Sequence, residues 1–121
     1  MANSAHIEII KKGAGEWNRW REENPSAVPD LAWADISGLD LSSINLSGAK
    51  MKLAFCKGCV FKNADFTDAD LYGANFEKSD LSGAKMKGAN LEGAHLIDAN
   101  MNGADTGGAN MRFAKKEGHQ Y

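Results

Sequence analysis

Two adjoining blocks, Ala64-Asp65-Phe66-Thr67-Asp68 and Ala69-Asp70-Leu71-Tyr72-Gly73, contain the pattern that decides the fold of this chain. Each block places a small, an acidic and a large apolar residue in the same order. Steps of five residues in both directions from Leu71 give seventeen positions between Leu31 and Met111, and fifteen of them hold a large apolar residue. A phase kept over this length indicates an internal repeat.

The apolar residue is termed the centre of its block, and the other positions repeat with it. Ala stands two residues before the centre in twelve of the sixteen blocks from Ile36 to Met111, Asp or Asn stands one before it in eleven, and Gly stands two after it in nine. The four blocks without Ala have Leu39, Ile44, Cys59 and Ser79 at that position.

A period of five does not fit a regular helix or a flat strand. At about 100° per residue, successive centres on a helix would lie about 140° apart. On a strand, an odd period would send successive centres to opposite faces. The pattern instead predicts a short extended segment with the Ala position and the centre both facing inward, followed by a corner.

Gly fits that corner because the second central residue of a type II turn has a positive φ. Asn63, Asp68 and Asp98 are the next most tolerant residues there. The remaining residues at this position are expected to force other turn types: Trp33, Ser43, Leu53, Lys78 and Phe113.

If each block turns the chain by roughly a right angle, four blocks close a square coil, and stacked coils about 4.8 Å apart can pair their backbones. The Ala-Asp/Asn-Leu/Phe pattern of Ala64–Gly73 resembles the pentapeptide repeat family over about residues 30 to 115. This resemblance implies an all-β fold, a right-handed four-sided parallel β-helix, here of about four coils. It implies little about function, because members include scaffolds, interaction modules and DNA-mimicking inhibitors of DNA gyrase.

The two ends are expected to differ. Residues 1–29 lack the repeat, and Ile7, Ile10, Ala14 and Trp17 follow a helical spacing, which predicts a capping helix from about 5 to 23 and a linker. Ser4 is the expected N-cap and Asn24-Pro25 the expected stop. Residues 30–115 form the β-helix, and 116–121 form a polar tail. An open last coil predicts a homodimer through Met111 and Phe113, unless the tail folds over this end.

The residues that suggest chemistry have a simpler structural interpretation. Cys56 and Cys59 have the spacing of a redox or metal motif, but both fall on inward positions, which favours core packing. His95 falls on the outer surface, and no nucleophile is spaced to work with it. The recurring Asp and Asn indicate local hydrogen bonding. We therefore expect no catalytic residue, no cofactor site and no metal site.

Outward apolar residues are rarer, and Trp33, Leu53, Phe55 and Val60 are expected to form a patch on the first two coils. Such a patch favours a protein partner, although packing of Trp33 against the leader helix or the linker is an equal alternative.

The composition limits the remaining functions. The 121 residues have 14 basic and 16 acidic side chains, a net charge of -2, and no apolar run of membrane-spanning length. A non-enzymatic structural or interaction module in a bacterial cytoplasm is expected, with no direct nucleic-acid or membrane binding. The alternative is a DNA-mimicking inhibitor of a type II topoisomerase, but the outer columns lack a continuous acidic stripe.

Overall fold

The computed structural model describes residues 2–117, in which two short helices precede a stack of parallel coils. Helix α1 spans Ser4–Lys11 and helix α2 spans Ala14–Glu23. The strands of the coils are single bridge residues at every fifth position from Asp30 to Lys115. All fourteen bridges between them are parallel and join residues 20 apart, such as Asp30 with Lys50 and Lys50 with Asp70. Four blocks per coil are therefore the register of this fold.

The leader is not the single helix that the sequence predicts over 5 to 23. Gly13 has a φ of 104°, which is outside the helical region, and this residue separates α1 from α2. The N-cap of α1 is Asn3 rather than Ser4, because the Asn3 Oδ1 accepts hydrogen bonds from the N–H groups of Ala5 and His6. The predicted stop is confirmed, since α2 ends at Glu23 with Asn24 as its C-cap.

The interior of the coils is filled by the centres and the residues two before them. Side chains from Leu31 to Met101 at these positions are buried, apart from the half-buried Leu39. Phe61, Phe66 and Phe76 make an edge-to-face cluster with ring centroids 5.1 to 5.8 Å apart. This arrangement confirms the inward direction predicted for the two apolar positions of each block.

Every corner has the same backbone conformation, which corrects one expectation. Trp33, Ser43, Leu53, Lys78 and Phe113 do not adopt other turn types, because their φ values lie between 59° and 65°, beside 64° to 76° for the corner glycines. At Phe113 the turn is closed within its own block, since the Ala114 N–H donates to the Met111 carbonyl at 3.1 Å. At the other four residues the reason is the register between coils. The N–H of Trp33 donates to the Lys52 carbonyl at 2.9 Å, and that of Leu53 to the Tyr72 carbonyl at 2.8 Å. Another turn type would break these bonds, so they offset a conformational cost of about 1–2 kcal/mol.

The helices pack on the first coil and replace part of the hydrogen bonding of a preceding coil. Ile10 and Trp17 are fully buried. Trp17 Nε1 and Arg21 Nη1 both donate to the Asn45 carbonyl, at 2.7 and 3.0 Å. Asn18 accepts from the Asn45 N–H at 2.8 Å through its Oδ1. Side chains of α2 thus satisfy backbone groups at the edge of the first coil.

The other end of the stack is less covered. Met111 is half-buried and Phe113 is 77% exposed, while the inward residues of the middle coils are buried. Of the predicted tail, residues 118–121 lie outside the described part of the chain, so the expectation that the tail folds over this end stays untested.

Two corner glycines should respond differently to the same substitution. Gly48→Ala adds a Cβ in open space at a φ of 67°, and we expect a loss of about 1 kcal/mol in the free energy of unfolding. Gly83→Ala has a similar φ of 70°, but its Cβ would collide with Asn63 Oδ1 of the preceding coil, so about 1 kcal/mol more should be lost. Urea unfolding measures both changes.

The matched control is Gly83→Ala in an Asn63→Ala background. In that background, Gly83→Ala should lower the free energy of unfolding by no more than Gly48→Ala does in the wild type, because the colliding oxygen is absent. An equal loss for Gly83→Ala with and without Asn63 would contradict a contact between the coils.

Candidate interaction surfaces

Cys56 and Cys59 are buried, free thiols in the core. Burial, with a smaller contribution from Cys59, raises the pKa of Cys56 well above its ordinary value, and burial also raises the pKa of Cys59. A raised thiol pKa disfavours the thiolate that nucleophilic and metal-binding chemistry needs. The geometry therefore favours packing at these two positions.

Cys59 also has a polar role that the spacing of the residues did not predict. Its Sγ donates to the Ile36 carbonyl at 3.0 Å, and Ser79 Oγ, one coil further on, donates to the Cys56 carbonyl at 2.7 Å. Both residues stand where most blocks have Ala, two residues before the centre, and each donates a hydrogen bond to a carbonyl of the preceding coil.

The Asp and Asn residues before the centres close local turns, as predicted. In twelve blocks the side-chain Oδ1 accepts a hydrogen bond from the N–H two residues further on, for example from Ser42 to Asp40 at 3.2 Å. The hydroxyl and N–H of Ser42 lower the pKa of Asp40. Partial burial opposes the same effect at Asp80, but the Ser82 hydroxyl and N–H still lower its pKa. These carboxylates are engaged in the fold.

An apolar cluster lies at one corner of the stack, on the first three coils. It consists of Trp33, Leu53, Phe55 and Tyr72, which we term the aromatic corner. Trp33 is 55%, Phe55 45% and Tyr72 38% exposed, and Leu53 is half-buried. Leu53 lies one coil beyond Trp33, and its Cδ2 lies over Gly73, next to Tyr72.

The structure therefore leaves Trp33 largely open to solvent, and its predicted role in partner binding stays a prediction. Val60, the fourth predicted residue, is half-buried on the following face and lies one block beyond Phe55. Tyr72 was missed by the sequence analysis. Tyr72 follows Lys52 by 20 residues, so the two lie at equivalent positions in adjoining coils, and Lys52 Nζ is 5.3 Å from the centroid of the Tyr72 ring. This 20-residue spacing was the signal in the sequence that could have identified Tyr72.

The bridges also test the acidic columns that DNA mimicry needs. Paired positions run Asp30, Lys50, Asp70, Asn90 and Asn110 on one face, and Asp35, Phe55, Asn75, His95 and Lys115 on the next. Each column is interrupted by neutral or basic residues. The described coils thus present no continuous acidic stripe.

Residues 2–117 contain no helix that is long and apolar enough to cross a membrane. No group of three or more His, Cys, Asp or Glu side chains in this range is placed to hold a metal ion. This part of the chain encloses no pocket.

The coil geometry agrees with comparisons to known proteins. The family model described as pentapeptide repeats matches in eight copies, over residues 30–68, 40–77 and 74–112. This is more than half of the chain, so the chain belongs to the pentapeptide repeat family. Known members are right-handed quadrilateral β-helices. No curated protein matches the chain significantly.

Two solved structures show the same fold. A pentapeptide repeat protein from the Arabidopsis thaliana thylakoid lumen is 33% identical with a TM-score of 0.72, covering 74% of this chain and 63% of that protein. HetL, a pentapeptide repeat protein involved in heterocyst differentiation regulation in the cyanobacterium Nostoc, is 26% identical with a TM-score of 0.67, covering 74% of this chain and 46% of HetL. The chain thus spans less than two thirds of either protein.

A third structure, the plasmid-mediated fluoroquinolone resistance protein QnrB1, is 16% identical with a TM-score of 0.34. This likeness is too low to support the topoisomerase alternative.

The plant protein corrects the assignment to the cytoplasm. That inference is wrong as drawn, because a chain with the same repeat and 33% identity belongs to a thylakoid lumen. Neither this fold nor a mixed charge composition determines a compartment. The bacterial source stays a prediction, since the similar structures come from a plant and a cyanobacterium.

The engaged carboxylates predict how stability depends on pH. Because the pKa of Asp40 is lower in the folded chain, the unfolded chain binds more protons in acid, and stability is lost as the pH falls from about 5 through the folded pKa. Asp40→Asn keeps the oxygen that accepts from Ser42 but does not titrate there. We expect this variant to lose less stability than the wild type when the pH falls from about 5 to about 3. Urea unfolding at several pH values measures the difference, and parallel curves would contradict it.

Proposed function

We propose that this protein is a non-enzymatic structural module that binds a protein partner through its aromatic corner. The observation that carries the proposal is the exposure of Trp33, Phe55 and Tyr72 at one corner of a rigid stack. Large exposed apolar patches mark protein–protein interaction sites, whereas single exposed apolar residues are ordinary. The interior supports a non-enzymatic role, because side chains of the core fill the coils from Leu31 to Met101.

The rigid stack in this proposal consists of about four coils capped by α1 and α2. The capping role is supported by the burial of Ile10 and Trp17 and by the hydrogen bonds from Trp17, Asn18 and Arg21 to the first coil. A cap of this kind covers the apolar end and the unpaired backbone edge of a solenoid.

The last coil provides a second contact, between two copies of the chain. Phe113 is 77% exposed and Met111 is half-buried, so pairing of two such ends would bury apolar surface. The pair would place two aromatic corners on one longer rod.

The aromatic corner can be tested with a variant that restores the family residue. Phe55→Asn allows the turn oxygen to accept from the Lys57 N–H, so the free energy of unfolding should change by less than about 1 kcal/mol. Partner binding should fall because an exposed apolar contact is lost. A photo-crosslinking phenylalanine at Tyr72 measures binding in an extract of the source organism, with the same probe at Lys87 as control. A discrete protein adduct at Tyr72 that Phe55→Asn removes supports the proposal, and an adduct of equal yield in that variant contradicts it.

The contact between copies can be tested by light scattering during size-exclusion chromatography across at least a tenfold concentration range. We expect the mass to rise from 13.0 kDa toward twice that value. Phe113→Ser should keep the protein monomeric, because Ser43 shows that serine adopts this corner conformation and the apolar surface is lost. Trp33→Ser is the matched control and should still dimerise. A wild-type monomer at every concentration would exclude the contact.

A further inference from the structure

The second coil departs from the repeat at three successive faces, whereas Lys85, His95 and Lys115 depart from it singly in later coils. Lys50, Phe55 and Val60 occupy the position before the centre, where Asp or Asn closes the turn in twelve other blocks. None of these three side chains has an oxygen that can accept the N–H two residues further on. Each block thus forgoes a local hydrogen bond of about 0.5–1.5 kcal/mol, and two of them expose apolar atoms in its place. Phe55 and Val60 are only partly buried, so apolar atoms of both remain open to solvent.

Three of the four faces of the same coil have a strong charge bias, and Asp65 and Asp68 lie on the fourth. Lys50, Lys52, Lys57 and Lys62 lie on it, and no acidic residue occurs between positions 50 and 64. These lysines are termed the basic belt. Lys62 lies 4.0 Å from Asp80, whereas no carboxylate among the described residues lies within 4.0 Å of the other three ammonium groups. Lys52 lies over the ring of Tyr72, within the aromatic corner.

We propose that the aromatic corner and the basic belt together bind a short acidic segment of a partner protein, with Asp or Glu next to an aromatic or aliphatic residue. This inference rests on the proposed function and specifies the chemistry of its partner. The apolar side chain of the segment packs on Trp33, Leu53 and Phe55, and its carboxylates face Lys50, Lys52 and Lys57. Charge complementarity at the rim selects the partner and speeds its encounter.

A short peptide fits this surface better than a continuous polyanion. Asp30 and Asp70 flank Lys50 in the adjoining coils, and Asp35 is bridged to Phe55. A nucleic acid or an anionic bilayer would extend over these carboxylates and be repelled by them. The positive region is confined to one coil, and adjoining coils are about 4.8 Å apart. One or two carboxylates beside an apolar anchor match this pattern of charges.

The test begins with a phage-displayed library of random twelve-residue peptides, selected on the wild-type protein. We expect enriched peptides to contain Asp or Glu within about three residues of Trp, Phe or Leu. Calorimetry on a synthetic copy of an enriched peptide then measures the dissociation constant. Lys52→Glu should raise it about tenfold, because an attraction becomes a repulsion at a partly desolvated site. The matched control, Lys87→Glu, changes the same charge at the same block position on another corner and should raise it less than about twofold.

The outcomes separate this inference from the proposed function. If the enriched peptides are apolar, contain no acidic residue and still require Trp33 for binding, the inference of an acidic partner segment is overturned. The proposed function as an interaction module is then still supported. No enrichment, or enrichment that Trp33→Ser does not reduce, would overturn both. Binding of a duplex oligonucleotide or of phosphatidylserine vesicles that is lost in Lys52→Glu but kept in Lys87→Glu would also overturn the inference, because the surface would then take a polyanion.

Discussion

A left-handed backbone residue at every fifth position is the constraint on which the rest of this structure depends. Where another coil follows, its N–H and that of the centre both donate to that coil, as Leu31 and Trp33 donate to the carbonyls of Lys50 and Lys52. The corner cannot relax locally without breaking the register of two coils. Large residues such as Leu53 are therefore held in a conformation that is unfavourable for them and point away from the core. Two of the four residues of the aromatic corner, Trp33 and Leu53, face away from the core in this way.

The same register explains the less obvious polar residues of the interior. The turn bond from the Cys59 N–H to the Cys56 carbonyl is 3.3 Å long, and the Ser79 hydroxyl donates to that carbonyl from the next coil. One coil earlier, Cys59 provides the same donor to Ile36. Stacking thus allows a residue in one coil to complete the hydrogen bonding of another, which keeps buried carbonyls paired. The interior of the solenoid is therefore stabilised by hydrogen bonds from buried side chains as well as by apolar packing.

The period of five predicted the inward positions from phase alone, whereas the coil length and the columns also needed a right-angle turn at each block, in agreement with the four-sided β-helix that the family resemblance implied. It could not predict features that depend on neighbouring coils. The uniform corners at Trp33 and Ser43 follow from bonds to residues about 20 positions away, and the hydrogen bond of Cys59 follows from the carbonyl of Ile36. The break at Gly13 had a signal in the leader, because Gly13 and Gly15 weaken a helix, but the position of the break did not follow from the helical spacing. The place of Tyr72 in the aromatic corner likewise depends on its contact with Lys52 of the preceding coil.

A solenoid separates the residues that make the fold from those that face solvent, and this separation is what makes its outer surface informative. The inward positions are filled in nearly every block, so they distinguish one coil from another very little. Outward positions have a default, an Asp or Asn that closes a turn and keeps the surface polar. Coil one has Asp at three of these positions, Asp30, Asp35 and Asp40. The residues bridged to them in coil two are Lys50, Phe55 and Val60, which cannot close the turn. The backbone bridges are equally regular in both coils, so the difference between them lies on the outer surface, where the proposed partner would contact the second coil.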